Sequence, residues 1–452
     1  MSNGGRQRSS IFGGLLLIFL GLLFLIQRFD PALGIGHLVA RYWPVLLIVW
    51  GVAKLIDHMG AQRTGEGRPA ILSGGEAALL FLVVLALIGM SVRDWVHRRN
   101  PDADIEVSLF GERFSESQEL PSKKIPAGAH VTVTTERGNI TIHAGEGDEL
   151  RVAGKQSATA STEAGARDRM RDVKIVIDEG HDGYRVHTTN QEGARGRVSV
   201  DLDVTVPKNV TLSATSARGD ISISGVAADV SASARNGDVE IHDVSANVSA
   251  ELVKGDARIS DIKGNTRITG RGNEIDLSDV GGDATLEGDF FGPIRVRNVA
   301  KTTHFASQRS DLTLLHLTGR MELDSGELSV SDVSGFAKLI THNKDIQAEN
   351  VAGRLEIVDT HGDIQVRYSQ PPKEEIAVTN ESGEVDFTLP AKSAFEISAF
   401  SRSGEIANEF EDPSLKPAND GDSGRLNGKI GAHGPKITIV TSYGTISLHK
   451  SS

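Results

Sequence analysis

Residues 219–236 read GDISISGVAADVSASARN, and residues 237–254 and 255–272 repeat the pattern as GDVEIHDVSANVSAELVK and GDARISDIKGNTRITGRG. Each stretch opens with Gly-Asp and then alternates apolar and polar residues. When the first apolar residue after each such turn is aligned, the steps are 18 residues, apart from one of 19 and one of 16. The aligned residues are Ile221, Val239, Ala257, Ile275, Ile294, Leu312, Leu328, Ile346 and Ile364. A fixed period of this kind indicates a repeat protein.

Two short strands are predicted in each repeat, because apolar residues alternate with polar ones, as in Ile221/Ile223 and Val239/Ile241. Strands this short cannot bury a core alone, so we expect the repeats to stack. The sequence therefore predicts an all-β repeat domain, a β-solenoid-like stack of about 18 residues per rung. It is expected to cover residues 126–450 and to be most regular at 212–366. A β-sandwich is the alternative, since its turns recur at short, regular intervals.

The first 100 residues are of another kind and contain three long apolar runs. A bilayer core requires about 20 residues of helix, so each run with its flanks predicts a transmembrane helix. These helices are expected at about 11–28, 38–56 and 74–96. The other boundaries are an N-terminal tail at 1–10, a membrane region at 11–99, and a linker with the first strand at 100–125. No small-residue cleavage site follows the first run, which favours an anchor over a cleaved signal peptide.

Charge also divides the chain. Residues 1–100 carry ten Lys or Arg and five Asp or Glu, whereas the rest carries 38 and 55. Because the repeat domain carries this excess of negative charge, nucleic acid is excluded as an expected partner. The absence of Cys excludes disulfides and thiolate metal sites.

Membrane orientation depends on few residues. Tyr42, Trp43 and Trp95 are predicted to lie at membrane interfaces, where aromatic rings are favoured. Basic residues are equally numerous on both sides of three crossings. Arg6 and Arg8 favour a cytoplasmic N-terminus, which would export the repeat domain.

The apolar pair GGLLLIFLGLLFLI (13–26) and YWPVLLIVWGVAKLI (42–56) resembles the transmembrane region of LiaI/LiaF-type bacterial envelope-stress membrane proteins. The matching feature is Trp43-Pro44 at the start of the second helix. This resemblance implies a multi-pass protein of the bacterial cell membrane.

Three stretches of the repeat part resemble the bacterial adhesin-type domain of β-strand repeats, a family of unknown function. They are VTVPKNVTLSATSARGDISI (204–223), ERGNITIHAGEGDELRVAG (136–154) and GKIGAHGPKITIVTSYGTISL (428–448). The resemblance implies an exported or membrane-tethered β-domain. The word adhesin is a family label and identifies no ligand.

Stacking is expected to bring equivalent turn residues into rows. The predicted repeat-turn residues are Gly219, Asp220, Gly237, Asp238, Gly255, Asp256, Gly362 and Asp363. A second row would comprise Asp243, Asp261, Asp279, Asn298, Asp332 and Asn350. Carboxylates one strand apart repel by about 1 kcal/mol in water, so something must offset them.

Two arrangements would offset the repulsion between the turn carboxylates. Lys and Arg shortly before the turns would form a basic row beside the acidic one: Arg218, Arg235, Lys254, Arg271, Arg309 and Lys344. Alternatively, Asp220, Asp238 and Asp256 would bind Ca²⁺. The Gly-Gly-x-Gly-x-Asp nonapeptide of calcium-binding repeats is absent, so we favour solvated carboxylates, with no metal and no cofactor.

No catalytic signature stands out, since the sequence lacks zinc-type His spacing, Gly-x-Ser-x-Gly, a phosphate loop and a dinucleotide fingerprint. The main hypothesis is a non-enzymatic, membrane-anchored interaction, adhesin-like or envelope-sensing module. The first alternative is a regulator or scaffold of an envelope-stress response with a cytoplasmic β-domain, and the second is a polysaccharide-acting β-helix enzyme. Expected partners are the lipid bilayer and an envelope glycan or another surface protein, and homo-oligomers are compatible with the sequence.

Overall fold

The computed structural model describes residues 112–160, 162–181, 183–190 and 198–451. The predicted transmembrane helices and the aromatic residues Tyr42, Trp43 and Trp95 lie outside these residues. Within the described ranges, no helix has the length and apolar character needed to cross a membrane. Two compact units are defined, and the ladders and sites described below lie in the unit formed by Ser115–Ala158 and Arg167–Ser452.

The described residues form 32 strands and one helix, α1 (Glu163–Arg171). The strands are β1 (Glu112–Glu119), β2 (Lys123–Lys124), β3 (His130–Thr135), β4 (Ile140–Gly145), β5 (Glu149–Ala160), β6 (Val173–Gly180), β7 (Gly183–Asn190), β8 (Val198–Pro207), β9 (Thr211–Ser216), β10 (Ile221–Ser224), β11 (Val230–Ala234), β12 (Val239–Val244), β13 (Val248–Leu252), β14 (Ala257–Ile262), β15 (Thr266–Gly272), β16 (Ile275–Val280), β17 (Ala284–Phe290), β18 (Ile294–Ala306), β19 (Asp311–Leu323), β20 (Glu327–Val333), β21 (Ala337–Ile340), β22 (Asp345–Val351), β23 (Leu355–His361), β24 (Ile364–Arg367), β25 (Ile376–Ser382), β26 (Val385–Pro390), β27 (Phe395–Ser403), β28 (Ile406–Asn408), β29 (Ala418–Asp420), β30 (Ser423–Ile430), β31 (Lys436–Tyr443) and β32 (Ile446–Ser451).

Most of the strands pair in two ladders, and the chain alternates between them along the regular repeats. Ladder A begins with the parallel strands β8, β4, β10, β12, β14 and β16. Ladder B begins with the parallel strands β7, β3, β9, β11, β13, β15 and β17. In ladder A, Ile221 pairs with Val239, which pairs with Ala257, which pairs with Ile275. The predicted register is confirmed from Ile221 to Ile294, and the all-β repeat class is confirmed.

Alternation along each strand separates a buried face from an exposed one. In β11 (VSASA) Val230, Ala232 and Ala234 are buried, whereas Ser231 is exposed. In β10, Ile221 and Ile223 are fully buried. Side chains of this size contribute roughly 1.5–3 kcal/mol each on burial. The inward residues of both ladders therefore supply the stabilising core, and the outward residues remain available to solvent.

In the middle of the domain one strand, β19, runs antiparallel to its neighbours in both ladders. The long strands β18 and β19 each cross both ladders and pair antiparallel with one another around the turn from Ser307 to Ser310. Ile294 pairs with Leu323, which pairs with Leu328. Beyond this hairpin, ladder A continues through the parallel strands β20, β22, β24, β26, β32 and β28. Ladder B continues through β21, β23, β25, β31 and β27.

This reversal corrects one position of the predicted register. Leu312 was expected to be equivalent to Ile294 and Leu328, in ladder A. It instead lies in ladder B, opposite Phe305 and Leu339. The physical reason is that Leu312 opens the return strand of the hairpin, which reaches ladder B before ladder A.

Candidate functional site

The predicted turn residues form a continuous hydrogen-bonded row, here called the turn ladder (Asp220, Asp238 and Asp256). The backbone N–H of Asp238 donates to Oδ1 of Asp220 at 2.9 Å, and that of Asp256 donates to Oδ1 of Asp238 at 2.9 Å. In the second half, Asp363 N–H donates to Asp345 Oδ1 at 3.0 Å. Each carboxylate therefore accepts the otherwise unpaired amide of the next turn, as a helix N-cap does.

The turn glycines are needed because neighbouring turns touch. A Cβ on Gly237 would lie 2.2 Å from the carbonyl oxygen of Gly219, and one on Gly255 would lie 2.0 Å from that of Gly237. Gly219, Gly237 and Gly255 also have positive φ angles of 136°, 157° and 135°. A Cβ on Gly362 would lie 2.1 Å from the carbonyl oxygen of Lys344. Close approach thus requires glycine at all four positions.

The backbone amides explain the turn ladder without a cation. Of the basic residues expected beside it, Arg271 pairs instead with Asp289 at 3.6 Å, and Lys344 donates to the backbone oxygen of Asp324. Among the described residues, no group of three or more His, Cys, Asp or Glu side chains is arranged to hold a metal ion. The calcium role for Asp220, Asp238 and Asp256 therefore gains no geometric support.

The second predicted row has a conformational role. All six of its members have positive φ, from 51° at Asn298 to 59° at Asp279, and His316 at 55° belongs to the same set. Asn and Asp tolerate this left-handed conformation better than other non-glycine residues. These residues lie within ladder A strands, and Asp243, Asp261 and Asp279 mark an irregularity just before the last residue of their strands.

A further row in ladder B was missed by the sequence analysis. We call it the corner ladder: Asp229, Asn247, Asn265 and Asp283. Backbone N–H groups of Asn247, Asn265 and Asp283 each donate to Oδ1 of the preceding member, at 3.0, 2.9 and 2.8 Å. The sequence signal for this row is that Asn–Val and Asn–Thr pairs recur with the 18-residue period.

Beside the corner ladder runs a row of hydroxyl groups, here called the hydroxyl row (Ser213, Ser231, Ser249 and Thr285). Ser213 pairs with Ser231, and Ser231 pairs with Ser249. Arg267 stands between Ser249 and Thr285, and His304 follows Thr285. In the part of the chain that the structure describes, none of the four hydroxyls bonds to another protein atom.

The corner ladder and the hydroxyl row line an open groove of about 750 Å³. Its lining residues come from seven neighbouring strands of ladder B, from β3 to β18. At about 4.8 Å per strand, they span about 29 Å. The floor includes Leu212, Val230 and Val248, which are buried. The groove thus offers hydroxyl, amide and carboxylate groups at a regular spacing along the stack.

Two ionisable groups of the groove are already engaged. Arg267 makes an ion pair with Glu287 at 2.5 Å. His304 Nδ1 lies 3.2 Å from Thr313 Oγ1 and 3.8 Å from Asp311 Oδ1. The groove therefore combines repeated neutral hydrogen-bonding groups with the carboxylates of Asp229 and Asp283.

A separate polar cluster lies near the C-terminal strands. His449 Nδ1 lies 3.1 Å from Glu409 Oε1, and His449 Nε2 lies 3.6 Å from Asp386 Oδ1. The hydrogen bond to Glu409 raises the pKa of His449. The backbone N–H of Lys450 and the His449 side chain together lower the pKa of Glu409. These residues are far apart in sequence, so no sequence motif predicted the cluster.

Comparison with known proteins gives two family matches. Residues 11–55 match the LiaI-LiaF-like transmembrane region, which associates the chain with a membrane. Residues 128–449, more than two thirds of the chain, match the Toastrack DUF4097 domain. The comparison with curated proteins gives no match.

Several solved structures are similar over most of the chain but at low scores. A proposed cell adhesion protein of Clostridium sporogenes has 8% identity and a TM-score of 0.16, over 74% of this chain and 100% of that one. A proposed adhesin of Bacteroides fragilis has 8% identity and a TM-score of 0.22, over 75% and 97%. A proposed lipid-binding protein of Parabacteroides distasonis has 9% identity and a TM-score of 0.20, over 76% and 99%. Scores this low add nothing to the family match.

The stacked strands, the glycine-acid turns and the extent of the domain match agree. The chain belongs to the Toastrack DUF4097 family, and its N-terminal part carries a LiaI-LiaF-like transmembrane region.

Proposed function

We propose that the protein is a membrane-anchored, non-enzymatic interaction module whose β-domain faces the extracytoplasmic side and binds envelope material through the groove. The observation that carries this proposal is the in-register hydroxyl row. Ser213, Ser231 and Ser249 occupy equivalent positions on neighbouring strands and have no bonding partner among the described residues. A repeated row of this kind suits an extended ligand better than a single reacting group.

Hydrogen-bonding chemistry favours a linear, hydroxyl-rich ligand such as a neutral envelope glycan. The groups of the groove repeat at about 4.8 Å, the spacing of neighbouring strands. Asp229 and Asp283 disfavour an anionic polymer at its rim. The described residues that line the groove include no Phe, Tyr or Trp, so affinity would come from many hydrogen bonds over its length.

Membrane orientation is tested first, by protease digestion of intact spheroplasts. Digestion of the β-domain while the inner membrane stays sealed is the expected result. The control is the same digestion after detergent permeabilisation, which must cleave the domain in either orientation. Protection in sealed spheroplasts would place the domain in the cytoplasm and overturn the proposal.

A second candidate function rests on the transmembrane match over residues 11–55. The protein would then regulate an envelope-stress response through a membrane partner such as a sensor kinase, with the β-domain as input or scaffold. Covalent cross-linking in intact membranes, followed by purification of the full chain, separates the two. A cross-linked kinase that persists when the hydroxyl row is replaced by Ala favours regulation over groove binding.

A further inference from the structure

A row of apolar residues, here called the apolar stripe, crosses the outward face of ladder B in its second half. It occupies one outward position on β21, β23, β25, β31 and β27, and its members in that order are Ile340, Val358, Thr379, Val440 and Phe400. Val440 is 38% exposed, and the other three apolar members are half-buried. The four steps between these strands cover about 19 Å.

The fold itself does not require apolar residues in this row. Thr215 lies four residues before the turn glycine Gly219, as Val440 does before Gly444, so the first half contains an equivalent row. The members of that row are all polar: Thr215, Ser233, Glu251, Thr269 and Glu287. The apolar side chains of the second half therefore indicate a contact with something outside the domain.

Positive charge surrounds one end of the apolar stripe. The outward residues of β31, β27, β30 and β29 include four cations, Arg402, Arg425, Lys429 and Lys436, and two carboxylates, Glu396 and Asp420. The chain beyond residue 100 has the opposite balance, with 38 Lys or Arg and 55 Asp or Glu. All four cations are exposed, and none makes an ion pair with a described carboxylate. Their charges are therefore available to a partner.

Tyr443 adds an aromatic ring beside these cations. It is 55% exposed at the end of β31 and pairs with Ser403, the residue after Arg402. The Arg425 guanidinium lies 5.5 Å from the centre of the Phe400 ring. Tyr and the long stems of Lys and Arg combine an apolar body with a polar end, and such groups are favoured at the headgroup level of a bilayer. The surface therefore has the composition of an interfacial membrane contact.

We propose that the apolar stripe and its four cations dock on the anionic lipid surface of the membrane with which the chain is associated. Val440 and Phe400 would meet the boundary between headgroups and acyl chains, and the cations would meet the lipid phosphates. An acidic polymer would pair with the cations but would leave the apolar side chains in water. Because the chain is already tethered to a membrane, a weak contact is sufficient for docking.

This contact is independent of the groove. In ladder B, β31 lies nine strand steps from β11, whose Ser231 belongs to the hydroxyl row, and this corresponds to about 43 Å along the ladder. Docking of the apolar stripe therefore does not require the groove to touch lipid.

The test uses a single fluorescent label, because the chain has no Cys of its own. Thr379→Cys carries an environment-sensitive fluorophore in the middle of the stripe, and Thr215→Cys carries it in the equivalent row of the first half; both positions are exposed. The full chain is reconstituted in phosphatidylcholine vesicles, with or without phosphatidylglycerol, that contain lipids with a nitroxide quencher near the headgroup.

Quenching is expected at position 379 in the phosphatidylglycerol vesicles and not at position 215. It should weaken in about 1 M salt, where the Debye length falls to about 3 Å. Equal quenching at the two positions, or none at position 379, would reject the proposal. Quenching that disappears when isolated envelope sacculi are added would assign the stripe to an envelope polymer instead.

Charge variants in the Thr379→Cys background identify the contact. The triple variant Arg402→Gln, Lys429→Gln, Lys436→Gln should lower the ratio of docked to undocked protein about hundredfold, since each cation near an anionic surface contributes about fivefold. The matched control, Arg235→Gln, Lys254→Gln, Lys263→Gln, removes three exposed cations of the first half and should keep the quenching. Equal loss in both triple variants would show a general effect of charge and reject the stripe as the docking surface.

Discussion

The backbone amide of Asp238 donates to Oδ1 of Asp220 across 2.9 Å, one 18-residue repeat away in sequence and one strand away in space. The same bond joins Asp256 to Asp238. The Asp side chain of one turn thus accepts a hydrogen bond from the backbone amide of the next turn. This arrangement explains why acidic residues recur in a row that would otherwise repel itself.

Removing the acceptor of this hydrogen bond should lower the free energy of unfolding, whereas removing only its charge should leave that free energy nearly unchanged. We expect Asp220→Ala to lower the free energy of unfolding by about 1 kcal/mol, because the Asp238 amide loses its partner. Asp220→Asn keeps an oxygen acceptor and should be close to neutral. Thermal unfolding measured by circular dichroism distinguishes them. If calcium raised the wild-type midpoint and Asp220→Asn abolished that effect, the calcium explanation would replace the amide one.

Glycine at the turns should be required for two separate reasons. Gly237→Ala places a methyl group 2.2 Å from the Gly219 carbonyl oxygen at a positive φ, so we expect a loss of about 3 kcal/mol or more. Gly147 has a φ of 128°, and among the described residues other than its two chain neighbours no atom lies within 4 Å of the added methyl group. Gly147→Ala should therefore cost about 1–2 kcal/mol. Equal losses in the two variants, measured by thermal unfolding, would show that close stacking of the turns contributes nothing.

The His449 cluster should make stability depend on pH. The pKa of His449 is raised from 6.5, so its contribution is complete below that pH and is lost as pH rises through the folded-state value. The pKa of Glu409 is lowered from 4.5, so its contribution is complete above that pH and is lost as pH falls. The cluster therefore stabilises the fold most between these two values.

The variant His449→Gln tests this dependence. Its midpoint should fall furthest below wild type near pH 5.5 and approach wild type near about pH 9. Circular dichroism is the suitable readout, because all three Trp residues precede residue 100 and would report on another part of the chain. A pH-independent difference would assign His449 a packing role only.

Much of the fold could be predicted because the repeat is short and its length is nearly constant. Ile221, Val239 and Ala257 align by counting, and the structure pairs them as counted. The reversal after β18 could not be predicted this way. The hairpin turn before Leu312 has the same polar chemistry as an ordinary rung turn, and only pairing shows the change of direction.

The groove could not be predicted from the sequence, for a different reason. Ser231 and Ser249 look like any outward residues of alternating strands, and no motif distinguishes them. Their significance arises only when the register aligns them with Ser213 and shows that no described protein atom bonds to them. Asp386, Glu409 and His449 likewise meet only through the order of the last strands.

Binding of the full chain, held in lipid nanodiscs, to isolated envelope sacculi tests the central claim most directly. The triple variant Ser213→Ala, Ser231→Ala, Ser249→Ala should bind about tenfold to thousandfold more weakly than wild type, since each lost hydrogen bond costs about 0.5–1.5 kcal/mol. The matched control removes three outward hydroxyls of ladder A, through Ser222→Ala, Ser329→Ala and Ser331→Ala, and should bind as wild type does. Undiminished binding by the first variant, or equal loss in both, would contradict the groove as the site of interaction.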